Sequence, residues 1–360
     1  MSHQSAKCSF VRLFTGPTSI SAAGRTASRR TPVVVAGAKA VGAGCALAAL
    51  AAGAAVLPGT AVLAAPAQAV AIPNASSHYS FTTLGNPKDP TFNQLLGIND
   101  FGEISGYFGS GSPAATHPNK GYTIAPYSGN TFTSENFTDS QQTQVTAIND
   151  WGNTVGFYAL ASGANYGFLD EDGVTASVSD PMTTSKPPVN QLLGVNNNGE
   201  AAGFYNDAKG NSHAYVWNRV TRVFTPVNVP GATSATATAI NDHGAVGGFF
   251  TKANGNIDSF IKDGTVLKTL AVPGSTTTEL FGLNDEGAAV GMYVGQHKQT
   301  FGFIYSNGAL KTISDPDGVG STVVNGLNNI GDVVGFYTDS KGNTDGFVAE
   351  AHTVGIPTIP

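Results

Sequence analysis

Six asparagines stand out as residues that could do chemistry: Asn99, Asn149, Asn196, Asn241, Asn284 and Asn328. Each is followed by an acid (Asp100, Asp150, Asp242, Asp285) or a second amide (Asn197, Asn329), and three residues on by a glycine. An amide beside a carboxylate, presented six times, could line a ring and hold a cation or a ligand's hydroxyls. The same side chains could instead cap their own turns or bond to a neighbouring unit. Asn197 and Asn329 replace the acid in two units, which weakens a charged metal ring and favours the structural reading.

Other chemistry is sparse. There is no Gly-x-Ser-x-Gly elbow, no His-Glu-x-x-His and no paired histidine at metal spacing. Beyond residue 70 the histidines are His78, His117, His213, His243, His297 and His352, one per unit or fewer. Isolated histidines of this kind usually lie at the surface or bond locally. Asp170-Glu171-Asp172-Gly173 and Asp315-Pro316-Asp317-Gly318 resemble calcium loops only faintly and read first as acidic turns. No metal and no cofactor is expected.

Function in a repeat protein sits where the units differ. The candidates for ligand contact are therefore Trp151 and His243, at the variable position of the turn, with His213 and with Trp217 beside Arg219. Longer segments around His117 and Lys186 also differ. An exposed Trp stacks on a sugar face or an apolar partner, and a Trp between units would simply pack. For catalysis the candidate pairs are Asp207 with His213 and Asp258 with His297.

The elements that must position these residues follow from the repeat. The asparagines are spaced by 50, 47, 45, 43 and 44 residues, a period that marks a repeat architecture. Asn-Asp-x-Gly between apolar runs is hairpin chemistry, with the glycine taking positive φ. Four residues after that glycine comes another (Gly106, Gly156, Gly203, Gly248, Gly291, Gly335), inside a strand, where a close backbone or ring is expected. A third strand follows, as in Gly302-Phe303-Ile304-Tyr305, then a turn such as Asp263-Gly264 or Asn307-Gly308. A fourth strand ends near proline: Phe224 to Pro230, Val266 to Pro273, Leu310 to Pro316.

No stretch beyond residue 70 has a helical period. The fold expected is all-β: a six-bladed β-propeller with four antiparallel strands per blade. The small first strands suit the crowded position nearest the channel, and apolar runs such as Val333 to Tyr337 suit strands covered on both faces. The last unit lacks a clear fourth strand. Tyr79 to Leu84 is expected to supply it and close the ring, which removes exposed edges.

The pattern Gly-Ile-Asn-Asp-x-Gly-x-Val-Gly-x-Tyr, then a Gly-Phe strand, then a strand ending near Pro-Gly resembles the HAF-type extracellular repeat family of bacteria. The resemblance covers the chain after about residue 70. It implies extracellular location and a propeller-like fold, and implies no reaction. Units 1 to 3 depart most, at 110–120, 137–144 and 180–190.

Residues 1–69 read as a secretory leader. They carry no Asp or Glu, six Lys or Arg, and an Ala/Val/Leu/Gly run ending in Ala67-Gln68-Ala69. Arg29-Arg30 before that run points to twin-arginine export. An uncleaved membrane anchor is the competing reading, disfavoured by Pro58 and the Ala/Gly richness. Residues 70–360 form the propeller domain. Both cysteines, Cys8 and Cys45, lie in the leader, so the mature chain has no disulfide, thiolate metal site or cysteine nucleophile. It keeps 12 basic against 24 acidic residues, a net charge of −12. Nucleic acid is excluded as a partner by that charge, and a membrane by cleavage of the leader.

The function expected is a secreted binding module, monomeric, for polysaccharide or a protein partner. The alternative is a secreted lyase or hydrolase with its site at the channel mouth. A purely structural extracellular protein is the third reading.

Overall fold

The computed structural model describes residues 74–109, 118–125 and 129–352. The expected leader lies outside these residues, as does His117. The described residues contain no α-helix; a single 3₁₀ turn at Ser76–His78 precedes twenty-four strands.

The strands form six four-stranded antiparallel sheets. After β1 (Tyr79–Thr83), blade 1 comprises β2 (Asn93–Ile98), β3 (Ile104–Phe108), β4 (Lys120–Ala125) and β5 (Thr131–Ser134). Blade 2 comprises β6 (Gln142–Ile148), β7 (Thr154–Ala159), β8 (Asn165–Glu171) and β9 (Val174–Val178). Blade 3 comprises β10 (Asn190–Val195), β11 (Glu200–Asn206), β12 (Ser212–Asn218) and β13 (Phe224–Pro226). Blade 4 comprises β14 (Ala232–Ile240), β15 (Val246–Lys252), β16 (Ile257–Asp263) and β17 (Val266–Leu270). Blade 5 comprises β18 (Thr278–Leu283), β19 (Ala289–Val294), β20 (Thr300–Ser306) and β21 (Ala309–Ile313). Blade 6 comprises β22 (Thr322–Leu327), β23 (Val333–Thr338) and β24 (Thr344–Ala351), and β1 completes it.

The closing strand pairs from Tyr79 opposite Ala351 to Thr83 opposite Phe347. The ring is therefore a six-bladed β-propeller closed by the N-terminal strand of the domain. The fourth strands stop earlier than the sequence implied, at Pro226, Leu270 and Ile313. The residues before each proline already turn towards the next blade.

Each blade has the same internal wedge. The strand glycine of the second strand faces an aromatic ring of the third: Gly106 with Tyr122, Gly156 with Phe168, Gly203 with Tyr215, Gly248 with Phe260, Gly291 with Phe303 and Gly335 with Phe347. All six rings are buried to 1 % exposure or less. At Gly248 a Cβ would lie 2.1 Å from the Thr236 carbonyl oxygen and 3.0 Å from the Phe260 ring, so no side chain fits. The aromatic takes the room the glycine leaves.

Every first strand also carries a β-bulge, such as Val145/Ala147 and Ala237/Ala239. In three alternate blades the extra residue is polar and bonds forward to the next blade. Thr146 Oγ1 donates to Leu192 O at 2.9 Å, Thr238 Oγ1 to Leu280 O at 2.7 Å, and Asn325 Nδ2 to Leu95 O at 2.9 Å. In the other three blades the extra residue is Leu96, Leu193 or Phe281. Apolar clusters fill the gaps between blades; one joins Val290 of blade 5 to Val324, Val333 and Phe347 of blade 6.

Glu279 is a local conflict within this pattern. It is buried on the innermost strand of blade 5, where blades 1 to 3 place Gln94, Gln144 and Gln191. Burial pushes its carboxyl up to about 7. The folded chain therefore holds a proton that the unfolded chain releases, and stability falls as pH rises from about 4.5 to about 7. Glu279→Gln is expected to leave stability nearly unchanged at about pH 5 and to raise it by on the order of 2 kcal/mol at about pH 8. Urea unfolding at the two pH values measures this.

Candidate functional site

The six asparagines lie on one face of the ring, the turn face, and bond to one another around it. Asn99 Nδ2 donates to Asn149 O at 3.0 Å, Asn149 to Asn196 O at 3.1 Å and Asn196 to Asn241 O at 3.0 Å. Asn241 continues to Asn284 O at 3.0 Å, Asn284 to Asn328 O at 3.1 Å, and Asn328 back to Asn99 O at 3.3 Å. Each Oδ1 accepts N–H groups of its own turn; Asn99 takes those of Phe101 and Glu103 at 3.1 and 2.8 Å. The following glycine takes positive φ in all six turns, from 74° to 95°.

A second circuit runs through the next residue. The backbone N–H of Asp100 donates to Asp150 Oδ1 at 2.9 Å, and the relation repeats through Asn197, Asp242, Asp285 and Asn329 back to Asp100. Asn197 Nδ2 donates to Asp150 and Asp242 Oδ2, and Asn329 Nδ2 to Asp100 and Asp285 Oδ2, all at 2.8 Å. The two amides thus separate one pair of carboxylates, Asp100 and Asp150, from the other, Asp242 and Asp285. The cavity they surround has a volume of about 70 Å³, well below the 300–1,000 Å³ typical of small-molecule pockets. Among the described residues no three His, Cys, Asp or Glu side chains are placed to hold one metal ion.

The variable turn residues crown this mouth. Ile330, Phe101 and Trp151, from blades 6, 1 and 2, are consecutive around the ring and 65 %, 65 % and 73 % exposed. The remaining arc is polar: Asn198, His243 and Glu286. Trp151 leans towards blade 3, its Nε1 donating to Asn197 O at 3.3 Å.

Two larger clefts lie between blades. The first, on the turn face between blades 1 and 2, has a volume of about 540 Å³. Trp151 lines it with Glu103, Glu135, Asp170, Asp172, Asn136 and several threonines. Burial pushes the half-buried Glu135 carboxyl up to about 7, with a contribution from Asp170, against a hydrogen bond from Thr154. Burial also raises Asp170. The second cleft, about 570 Å³, lies between blades 3 and 4 towards the opposite face and includes Asp180, Tyr205, His213, Arg222 and Phe224.

The candidates from sequence are scattered over these places. Trp151 lines the first cleft. His243 is exposed on the turn face, with Nδ1 3.9 Å from Asp285 Oδ1. His213 lines the second cleft, stacked on Tyr205 at 5.0 Å and bonded to Asp207 Oδ2 at 3.1 Å. Arg219 pairs with Glu171 of blade 2. Trp217 is a correction: it is 2 % exposed, packed with Val155, Leu169 and Leu192 between blades 2 and 3, with the Arg222 guanidinium 5.5 Å from its ring centre. Even strand alternation turns it inward, so it contacts no ligand. Asp207 and His213 do pair, on the face opposite the asparagine turns, while Asp258 pairs with Lys252 at 2.7 Å and not with His297.

Sequence reasoning passed over Phe101 and Ile330, although they occupy the same turn position as Trp151 and His243. It also passed over Glu135, and took Asp170 only as part of an acidic turn. No local signal pairs the two, because only the packing of blade 1 on blade 2 brings them together.

No family model and no curated protein matches the chain. Similar solved structures include AofleA from Arthrobotrys oligospora, at 12 % identity and TM-score 0.50, covering 79 % of this chain and 94 % of that one. SapL1 lectin in complex with α-methyl fucoside is similar at 11 % identity and TM-score 0.49, covering 75 % and 98 %. The lectin of Aleuria aurantia, described as a six-bladed β-propeller with a novel fucose recognition mode, has 10 % identity and TM-score 0.43, covering 74 % and 100 %. At these identities the likeness is one of fold.

The closed amide circuit gives a direct stability test. Asn241→Asp keeps the acceptor for Ala245 N–H (2.9 Å) and sets a second acceptor against Asn284 O. A loss of about 2 kcal/mol is expected, read as a lower urea midpoint at unchanged slope.

Proposed function

We propose that the chain is a secreted carbohydrate-binding propeller of the HAF-repeat type, with its site in the cleft between blades 1 and 2. The observation that carries this reading is Trp151, a large aromatic left 73 % exposed at the edge of a cleft of about 540 Å³. An indole face stacks on the C–H face of a pyranose, and the carboxyl, amide and hydroxyl groups beside it match a sugar's ring of hydroxyls. The mouth of the channel is too small for this role, and its polar atoms already bond to one another. Secretion rests on the leader-like residues 1–69. The fucose specificity named for the lectins above is theirs and is not carried over.

The test is a glycan array on residues 70–360, followed by titration calorimetry on any sugar class that binds. Trp151→Ala is expected to weaken binding at least tenfold, about 1.4 kcal/mol. Its melting temperature should hold, because the side chain makes one hydrogen bond and is largely in solvent. An empty array, or a Trp151→Ala chain that binds as before, would sink the reading.

A further inference from the structure

The cleft carries a charge asymmetry that names a sugar class, and the inference rests on the carbohydrate reading above. Glu103, Glu135, Asp170 and Asp172 line it, and among the described residues no Lys, Arg or His does. From Asn93 to Val178 the chain has eight acidic residues and one basic, Lys120. Lys120 begins β4, at the end of blade 1 away from the asparagine turns. One gap further on, between blades 2 and 3, Glu171 is matched by Arg219. Among the described residues the first gap has no such partner for its acids.

Three of the four carboxyls are fixed through one oxygen. Glu103 Oε2 accepts from Asn99 Nδ2 at 2.9 Å, Glu135 Oε1 from the Thr154 hydroxyl, and Asp170 Oδ1 from Gly173 N–H at 2.8 Å. The second oxygen of each remains to accept from a ligand. Deeper in the same gap, behind the cleft's own lining, lies a buried polar group. Ser105, cross-strand from the cleft residue Thr123, is fully buried and its Oγ has no hydrogen-bond partner among the described residues. A Cβ on Gly97 would lie 2.7 Å from that Oγ and 2.8 Å from Ala147 Cα, which places the hydroxyl between blades 1 and 2.

We propose that this cleft binds an amino sugar bearing a free, protonated amine, its ring against Trp151 and its ammonium among the carboxylates of Glu135 and Asp170. An ammonium there gains both charge pairing and the face of the indole. A neutral sugar leaves the carboxylates unmatched, and a uronate is repelled. The acids sharing the cleft with Glu135 are Asp170 and Asp172 of blade 2 and Glu103 of its own blade. Because burial holds Glu135 partly protonated near neutrality and the sugar's ammonium, acidified by its neighbouring oxygens, loses its proton in the same range, binding should pass through a maximum with pH and fall on either side.

The experiment titrates three hexasaccharides against residues 70–360: glucosamine, N-acetylglucosamine and cellohexaose. The free amine should bind at least tenfold tighter than either other and lose affinity with added salt. Glu135→Gln and Asp170→Asn should each cost fivefold or more, at preserved melting temperature. Asp317→Asn, an exposed acid on the opposite face, should change nothing. Equal binding of all three sugars overturns the amino-sugar inference and leaves the carbohydrate reading standing. Amine binding that Asp317→Asn weakens as much as Asp170→Asn is general polycation attraction and overturns the site. If no sugar binds here or on the array, both readings fall.

Discussion

The molecule depends on how closely six inner strands can approach one axis. Antiparallel blades wedge together only if their innermost strands carry little bulk and leave no backbone group unpaired. Glycines and small residues meet the first demand: at Gly194 and Gly326 a Cβ would strike the neighbouring blade's backbone at 2.8 and 2.9 Å. The asparagines meet the second. A carboxamide is the one short side chain that accepts its own turn's N–H groups and donates to the next blade's carbonyl in the same pose. Aspartate can accept and cannot donate; serine cannot reach both. The sixfold asparagine follows from that geometry, and the circuit it makes sets the blade-to-blade distance on the turn face.

The acid ring is a consequence of the same spacing. Each residue after the asparagine points its Oδ1 at a neighbour's backbone N–H, so an acid is favoured locally. Six acids around one small mouth would repel. Asn197 and Asn329, three blades apart, each donate to two carboxylates. In the sequence they look like erosion of a motif. In the ring they are the donors that let the other four positions remain acidic.

This is why the fold was so legible and the site less so. Blade number, strand order, the closing strand Tyr79–Thr83 and the tight glycines are repeated or local features, and six copies average out the noise of any one. Trp217 failed because a single unit gives no vote on which face of a β12-type strand is buried; its inward side is decided by Val155 and Leu169 on the adjoining blade. The exposure of Trp151 was legible because a turn tip between two strands has nowhere to hide a large ring. The meeting of Glu135 with Asp170 was not, because it arises only through inter-blade packing; the sequence showed Asp170 as an acidic turn and gave Glu135 no mark.

The repeated turn cannot itself be the source of specificity. A ring with near-identical groups at six positions offers an asymmetric ligand six equivalent and equally weak poses, and here those groups are already bonded to one another. Recognition requires a place where the symmetry breaks and the polar atoms are left facing outward. Blades 1 and 2 break it in two ways at once: the bulky turn residues Phe101 and Trp151, and cleft acids with no cationic partner among the described residues. Neither supports the ring, since blades 3, 4 and 5 close with polar turn residues in those positions. Features that the scaffold does not need, gathered on two neighbouring blades, mark where a site grafted onto a repeat is to be sought.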